Sequence, residues 1–299
     1  MAHTLLRWAI HIPGFRYANM IPRSVHAFSD CISVMGRTAR WLVSSREDTN
    51  WTYDLLEQNL VALACTISCV TGVPKEKVLA HMKEGNEDQI LRDHVARHTK
   101  SSIQRVRADA TCRFGRRLGA YAVARVMKPR VVVETGVDKG LGSVLLAAAL
   151  LRNRDEGFNG QYYGIDINPR AGWLLRAPYD AAGQILYGDS VSMLEKIEAP
   201  IDLFITDSDR STVHEAEEYR VVQPKLGKGG IVVGNYSDSS EALIKLSMER
   251  ARDYLFFGER PKDHWYRGGG LGFSFHAREV RGRLEDIREE REATQVGRI

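Results

Sequence analysis

The chain has 299 residues, 43% of them hydrophobic and 27% charged, and a formal net charge of +4. This is a globular composition, with length for one large domain or a catalytic domain with an appendage, and the charge is too small to argue for nucleic acid. The cysteines (Cys31, Cys65, Cys69, Cys112) show neither a C-x-x-C pair nor framework spacing, and Cys65 and Cys69 read as small buried hydrophobes on one helix face. With no signal-peptide pattern in view, the expectation is a reduced cytoplasmic protein without a membrane anchor. The apolar run Leu5 to Ile10 is interrupted by Arg7 and is too short to span a bilayer.

Residues 1–23, with Pro13, Gly14 and Pro22, read as an irregular arm, and Ser24 to Ser45 as a helix. A helix is predicted over Thr52 to Thr71, capped by Asn50 or Thr52, striped by Leu55, Leu56, Leu60, Leu63 and Ile67, and stopped by Gly72. Pro74 opens a short helix to about Lys83, and Glu87 to His98 gives another. Residues 1–100 therefore form a helical N-terminal region. The next stretch holds Arg105, Arg107, Arg113, Arg116, Arg117 and Arg125, and an amphipathic helix spans Arg116 to Met127. Without interleaved aromatic residues, a solvated helix face is favoured over a polyanion-binding one.

The chain then alternates. Strands are expected at Val131 to Val133, Tyr162 to Ile167, Gln184 to Tyr187, Ile201 to Thr206 and Gly230 to Gly234. Helices are expected from Val144 to Arg152 and near 171–176, 190–197, 212–223 and 239–252. Such alternation predicts a parallel sheet covered on both faces. Asp253 to Phe257 and Leu271 to Phe275, joined through Gly268 to Gly270, imply a final antiparallel strand at or near the edge. Residues 278–293 are charged enough to read as a solvated terminal helix or frayed tail.

The first strand ends in Glu134, and a loop with Gly136, Gly140 and Gly142 opens the following helix. Glycine there permits φ > 0 and lets the backbone approach a ligand at a helix N-terminus. A pyrophosphate would be repelled by Glu134 and Asp138, whereas an ammonium or sulfonium would be attracted. The pattern Glu134-Thr-Gly136-x-x-x-Gly140-x-x-Ser143 resembles the first motif of class I S-adenosylmethionine-dependent methyltransferases.

In open α/β sheets, ligands lie outside the carboxyl ends of the strands. The second strand ends at Asp166, an acid able to accept from both hydroxyls of a ribose, and the third ends at Asp189-Ser190. The segment Ile165-Asp-Ile-Asn-Pro169 is similar to the matching strand of catechol O-methyltransferase-like enzymes. That resemblance, covering roughly residues 115–276, implies Asp189 beside the adenine. Asp189 is equally an N-cap candidate.

The fourth strand ends Asp207-Ser-Asp209 and the fifth Gly234-Asn235. In metal-dependent small-molecule O-methyltransferases the fourth strand supplies one metal Asp and the fifth an Asp-Asn pair. Here Gly234 stands where the second Asp would be, so Asp207, Asp209 and Asn235 are the Mg²⁺ ligand candidates, against a helix-capping role for Asp209. Asp207 also belongs to the cofactor set implied by the resemblance. A hydroxyl acceptor must lose its proton to a metal or a base, which makes Asp207, Asp209, His214 and His264 the catalytic candidates. Trp265 and Tyr266 read as a pocket wall.

The expected architecture is a Rossmann-like, doubly wound α/β sheet with an antiparallel final strand, preceded by a helical N-terminal region. The expected layout is residues 1–100 as lid, acceptor-pocket wall or dimer surface, 101–276 as the cofactor-binding domain and 277–299 as a charged tail. The implied activity is methyl transfer from S-adenosylmethionine to a small hydroxylated acceptor of macrocin or catechol type, with Mg²⁺ as candidate assistant. An RNA methyltransferase and a non-catalytic cofactor-binding homologue are the rivals. No N/D-P-P-Y/F motif or Pro-Cys nucleophile supports the RNA reading.

Overall fold

Seven strands form one sheet in the order β3-β2-β1-β4-β5-β7-β6. They are β1 (Val131–Thr135), β2 (Gln161–Asp166), β3 (Gly183–Tyr187), β4 (Ile201–Thr206), β5 (Leu226–Asn235), β6 (Asp253–Phe257) and β7 (Leu271–Phe275). The structure, a computed structural model, describes residues 20–48 and 51–296. The expected arm therefore lies largely outside the described residues, as does the cap candidate Asn50.

β3, β2, β1, β4 and β5 pair in parallel. β7 runs antiparallel to both β5 and β6, so the reversed strand lies one place in from the edge. This is the expected Rossmann-like, doubly wound α/β sheet with an antiparallel strand near its edge. The chain order reverses between β1 and β4, the kind of switch point at which doubly wound sheets bind ligands outside the strand ends.

The helices are α1 (Met20–Ser44), α2 (Glu57–Thr71), α3 (Lys75–Asn86), α4 (Gln89–Ser101), α5 (Arg117–Met127) and α6 (Leu141–Asp155). They continue as α7 (Ser190–Glu195), α8 (Thr212–Val222), α9 (Ala242–Glu249) and α10 (Ala277–Val296). On one face of the sheet, Val133, Phe204 and Val232 pack with Leu194, Tyr219 and Leu243 from α7, α8 and α9. On α6, every residue from Leu141 to Leu150 is buried. Among the described residues, no helix is long and apolar enough to cross a membrane.

The chain divides into two units. Among the described residues the smaller holds α1 and Asp263–Tyr266, and the larger holds Arg46–Lys262 with the chain from Arg267 onward. α2, α3 and α4 thus belong to the unit that contains the sheet. In the smaller unit Trp41 meets the Trp265 ring edge-on at 5.4 Å.

Several local expectations change. α2 starts at Glu57 rather than Thr52, because Leu55 bridges Pro261 and the Thr52 hydroxyl donates to Glu47 at 2.7 Å. Residues 171–176 are turns, closed by Gly172 N–H donating to the Asp138 carbonyl at 2.7 Å. Cys65 is half-buried and Cys69 exposed, since Leu63, Ala64, Ile67 and Val70 form the inward face of α2. The terminal helix is anchored rather than wholly solvated, because Val280 is buried and Arg283 pairs with Asp202.

The arginine-rich stretch departs most from expectation. Arg116 and Arg125 are buried, not solvated. Arg125 donates to Glu84 at 2.7 Å and to Glu156 at 2.5 Å, and also to Asn153. Arg107 keeps the expected exposed position, paired with Asp48 at 2.9 Å. Removing one partner of a buried pair leaves an uncompensated charge. Arg125→Met should therefore cost roughly 3 kcal/mol, and Arg107→Met less than about 0.5 kcal/mol, in urea unfolding. Equal losses in the two variants would contradict the burial of Arg125.

Candidate functional site at the carboxyl ends of the strands

A cavity of about 500 Å³ opens along the ends of β1 to β4. Gly136 and Asp138 line it from the β1 loop, Asp166 and Ile167 from β2, Asp189 and Ser190 from β3, and Asp207 to Arg210 from β4, with His214 from α8. Its size lies within the range of small-molecule sites, about 300–1,000 Å³.

The glycine loop has a different cause from the one the sequence suggests. Gly136 has φ +79°, and a Cβ there would fall 2.0 Å from the Asp207 carbonyl oxygen. Protein backbone, before any ligand, excludes a side chain at this position. The close approach follows from pairing: Gly136 N–H donates to Ile165 O and Asp207 N–H to Thr135 O, each at 2.9 Å. Gly140, φ +89°, precedes α6, and a Cβ there would lie 3.0 Å from Gly172 Cα.

Glu134 does not line the cavity. Its carboxylate accepts from the Tyr162 hydroxyl at 2.5 Å and the Ser143 hydroxyl at 3.2 Å, beneath the start of α6. Glu134 and Ser143 are thus a buried pair rather than groups facing a ligand. Burial pushes the Glu134 carboxyl up to about 7, helped by the Asp207 charge and opposed by Tyr162. Asp138 takes over at the cavity wall. It adopts φ +47°, and its Oδ2 is buried without a hydrogen-bond partner.

Asp166 carries a structural duty at the end of β2. Its Oδ2 accepts from the backbone N–H groups of Val137 at 3.0 Å and Asp138 at 2.8 Å, and Oδ1 accepts from Asn168 N–H at 2.8 Å. The carboxylate therefore fixes the β1 loop while it faces the cavity. Asp189 caps α7 by accepting from Ser192 N–H at 2.9 Å, a bond that also lowers its pKa. Ser190 shares a 2.8 Å hydrogen bond with His214 Nε2.

At the β4 end, Asp207 is nearly buried, whereas Asp209 is exposed and turns back to accept from Ser211 N–H at 3.0 Å. Burial raises the Asp207 carboxyl, against the pull of Arg116, Arg117 and Arg210. Glu218, fully buried on α8, accepts from Thr135 at 3.0 Å, Thr206 at 2.9 Å and Ser208 at 2.6 Å, tying the ends of β1 and β4 together. His264 lies in the smaller unit, where its ring stacks on Trp265 and its Nδ1 accepts from Tyr266 N–H at 3.0 Å.

Two of the Mg²⁺ ligand candidates, Asp207 and Asn235, stand beside a cation of the protein's own. Arg116, 1% exposed, donates from Nε to Asn235 Oδ1 at 2.8 Å and places Nη2 3.7 Å from Asp207 Oδ2. With Asp209 turned outward and Asn235 committed to Arg116, the three candidates do not converge. Among the described residues no other cluster of three His, Cys, Asp or Glu side chains suits a metal. Sequence reasoning missed Arg116 and Glu218. An arginine and a glutamate on amphipathic helices carry no local sign that they point inward.

A family model described as a methyltransferase domain matches residues 133–235, from within β1 to the end of β5. Over these residues the chain is similar to a methyltransferase domain. Its matched stretch contains the glycine loop and all the strand ends that bear the cavity's acids. No curated protein sequence matches the chain. Among solved structures, a methyltransferase from Geobacter sulfurreducens aligns at 18% identity and TM-score 0.47, covering 62% of this chain and 89% of that one. The O-methyltransferase TomG from Streptomyces achromogenes, in complex with SAM, aligns at 16% and 0.44, covering 63% and 90%. The SAH-bound methyltransferase PaMTH1 from Podospora anserina aligns at 15% and 0.45, covering 67% and 94%.

Glu134 supplies a pH test of the methyltransferase domain. Its folded pKa exceeds the unfolded value, so the native state holds the extra proton between about 4.5 and about 7 and stability falls as pH rises through that window. Glu134→Gln keeps an acceptor for Tyr162 and removes the charge. It should gain up to roughly 3 kcal/mol above pH 7 and nothing below pH 4.5, as read by urea unfolding across pH. A gain independent of pH would show that ionised Glu134 is not the cause.

Proposed function

We propose that the domain binds S-adenosylmethionine in this cavity and transfers its methyl group to the hydroxyl of a small acceptor. The observation that carries the reading is the convergence of Asp138, Asp166, Asp189 and Asp207 on one cavity at the parallel-strand ends. Such a wall of carboxylates suits a cationic ligand and would oppose a dinucleotide pyrophosphate. Asp166 would accept from the ribose hydroxyls with the lone pairs left by its loop bonds. Asp189 and Ser190 would flank the adenine, and Asp138 Oδ2 would meet the amino-acid ammonium. Gly136, Gly140 and Ser143 would shape this pocket through the loop and helix start, and Glu134 would act from beneath.

When bound, S-adenosylmethionine supplies a methyl carbon on a sulfonium that an acceptor oxygen displaces in line. Positioning then provides most of the rate. Asp207, raised by burial and facing the cavity, is the group suited to take the acceptor proton. His214 is held against Ser190, on the side assigned to the adenine, and serves better as a wall there. Asp209, bonded to its own turn, orders the β4 loop instead of reacting.

The burial of Arg116 and Arg125 takes two of the six arginines from the basic face on which the RNA alternative depended. S-adenosylhomocysteine should raise the melting temperature, because a ligand of the native state stabilises by mass action. Asp166→Ala should weaken its binding by roughly 1.5–3 kcal/mol, the range for hydrogen bonds to a charged group. A melting shift produced by NAD and not by S-adenosylhomocysteine would refute the cofactor assignment.

A further inference from the structure

Arg116 stands among oxygen donors that come from separate parts of the larger unit. Nε donates to Asn235 Oδ1 at 2.8 Å, and Nη1 to the Tyr53 hydroxyl at 2.8 Å and Glu259 Oε1 at 3.4 Å. Nη2 faces Asp207 Oδ2 at 3.7 Å. The guanidinium lies over the Tyr236 ring, its carbon 4.4 Å from the centroid, and Arg210 lies over the same ring at 3.6 Å. Two carboxylates and an amide oxygen around one compact positive charge form a donor set of the kind a hard divalent ion takes. Here the charge is covalently part of the residue that caps α5.

Gly234 stands where the alternative would need a second acid. A Cβ at this position would lie 2.6 Å from Ser237 Oγ, 2.9 Å from Leu243 Cδ2 and 3.3 Å from the Tyr219 hydroxyl. Leu243 is buried in the core beneath the sheet, so a carboxylate on residue 234 would require that packing to move. The position that would add a second strand-end acid is therefore crowded by the ends of three side chains, independently of the charge already present.

We propose that the Arg116 guanidinium is a built-in substitute for a divalent cation at this strand mouth, positioning Asp207 and Asn235 so that the domain works without metal. The inference rests on the methyltransferase reading of the cavity. Arg116 is a positioning residue: it is sealed from solvent, and it acts through Asp207, which lines the cavity. A guanidinium suits this task because its planar fork can serve several oxygens while remaining charged.

The test is Mn²⁺ binding to the full-length apo protein, read by electron paramagnetic resonance and by melting temperature. Wild type should show no saturable Mn²⁺ site that depends on Asp207, and no Mn²⁺-induced melting shift. Arg116→Ala should melt lower and recover part of the loss with millimolar Mn²⁺ or guanidinium, because the vacated donors then bind an external cation. Arg116→Lys should need less rescue, which loss of packing alone would not produce. A stoichiometric Mn²⁺ site in wild type that disappears in Asp207→Asn would overturn the proposal, and this arm decides even if Arg116→Ala fails to fold. The readout uses no cofactor, so it stands apart from the S-adenosylhomocysteine shift that tests the function.

Discussion

A buried guanidinium sets conditions that much of the larger unit meets. Taking an ion out of water costs several kcal/mol unless oxygens replace its hydration. Arg116 therefore requires Tyr53 from the segment before α2, Asp207 after β4, Asn235 at the end of β5 and Glu259 from the β6–β7 connection. Glu259 must be held in turn, and the backbone N–H groups of Gly269 and Gly270 donate to it at 2.8 and 3.2 Å. Gly268 has φ +93°, and a Cβ there would fall 2.2 Å from Glu259 Cγ. The glycine-rich turn that reads as a strand connection is thus also the cradle of a counter-ion.

The sheet was legible from the sequence because buried parallel strands and covering helices leave periodic signals. The span of β4 agrees residue for residue, and the reversed β7 was visible from its turn. Asp166, Asp189 and Asp207 were found because the carboxyl end of each strand is a place worth inspecting in any doubly wound sheet. What escaped was direction. Nothing in the composition of Arg116 to Met127 separates an arginine that lies on the surface from one that enters the core. The true start of α2 depends on the pairing of Leu55 with Pro261, about two hundred residues away, which no local window contains.

Glu134 shows the same limit from the other side. It ends β1, as an acid awaiting a cationic ligand should, yet the β-strand alternation turns it beneath α6 onto Tyr162 and Ser143. The resemblance to a cofactor motif is sound as pattern, while the physical reason for this acid lies in packing. Gly142 records the contact, since a Cβ there would fall 2.3 Å from Glu134 Oε1. The small residues of the motif are therefore required in part by the acid, and in part by the approach of β4.

Two of the carboxylates that face the cavity are held before any ligand arrives. Asp166 is fixed by three backbone N–H groups and Asp189 by its cap on α7. A ligand meeting such groups does not have to order their side chains, so less interaction energy is lost on association. The same bonds make the glycine loop and the β2 end move as one piece. That matters for an in-line displacement, whose rate depends on how narrowly donor and acceptor are confined. A guanidinium set beside Asp207 and a loop fixed by Asp166 bound the two sides of the site by related means: ionic groups held within the fold and presented to the ligand already in place.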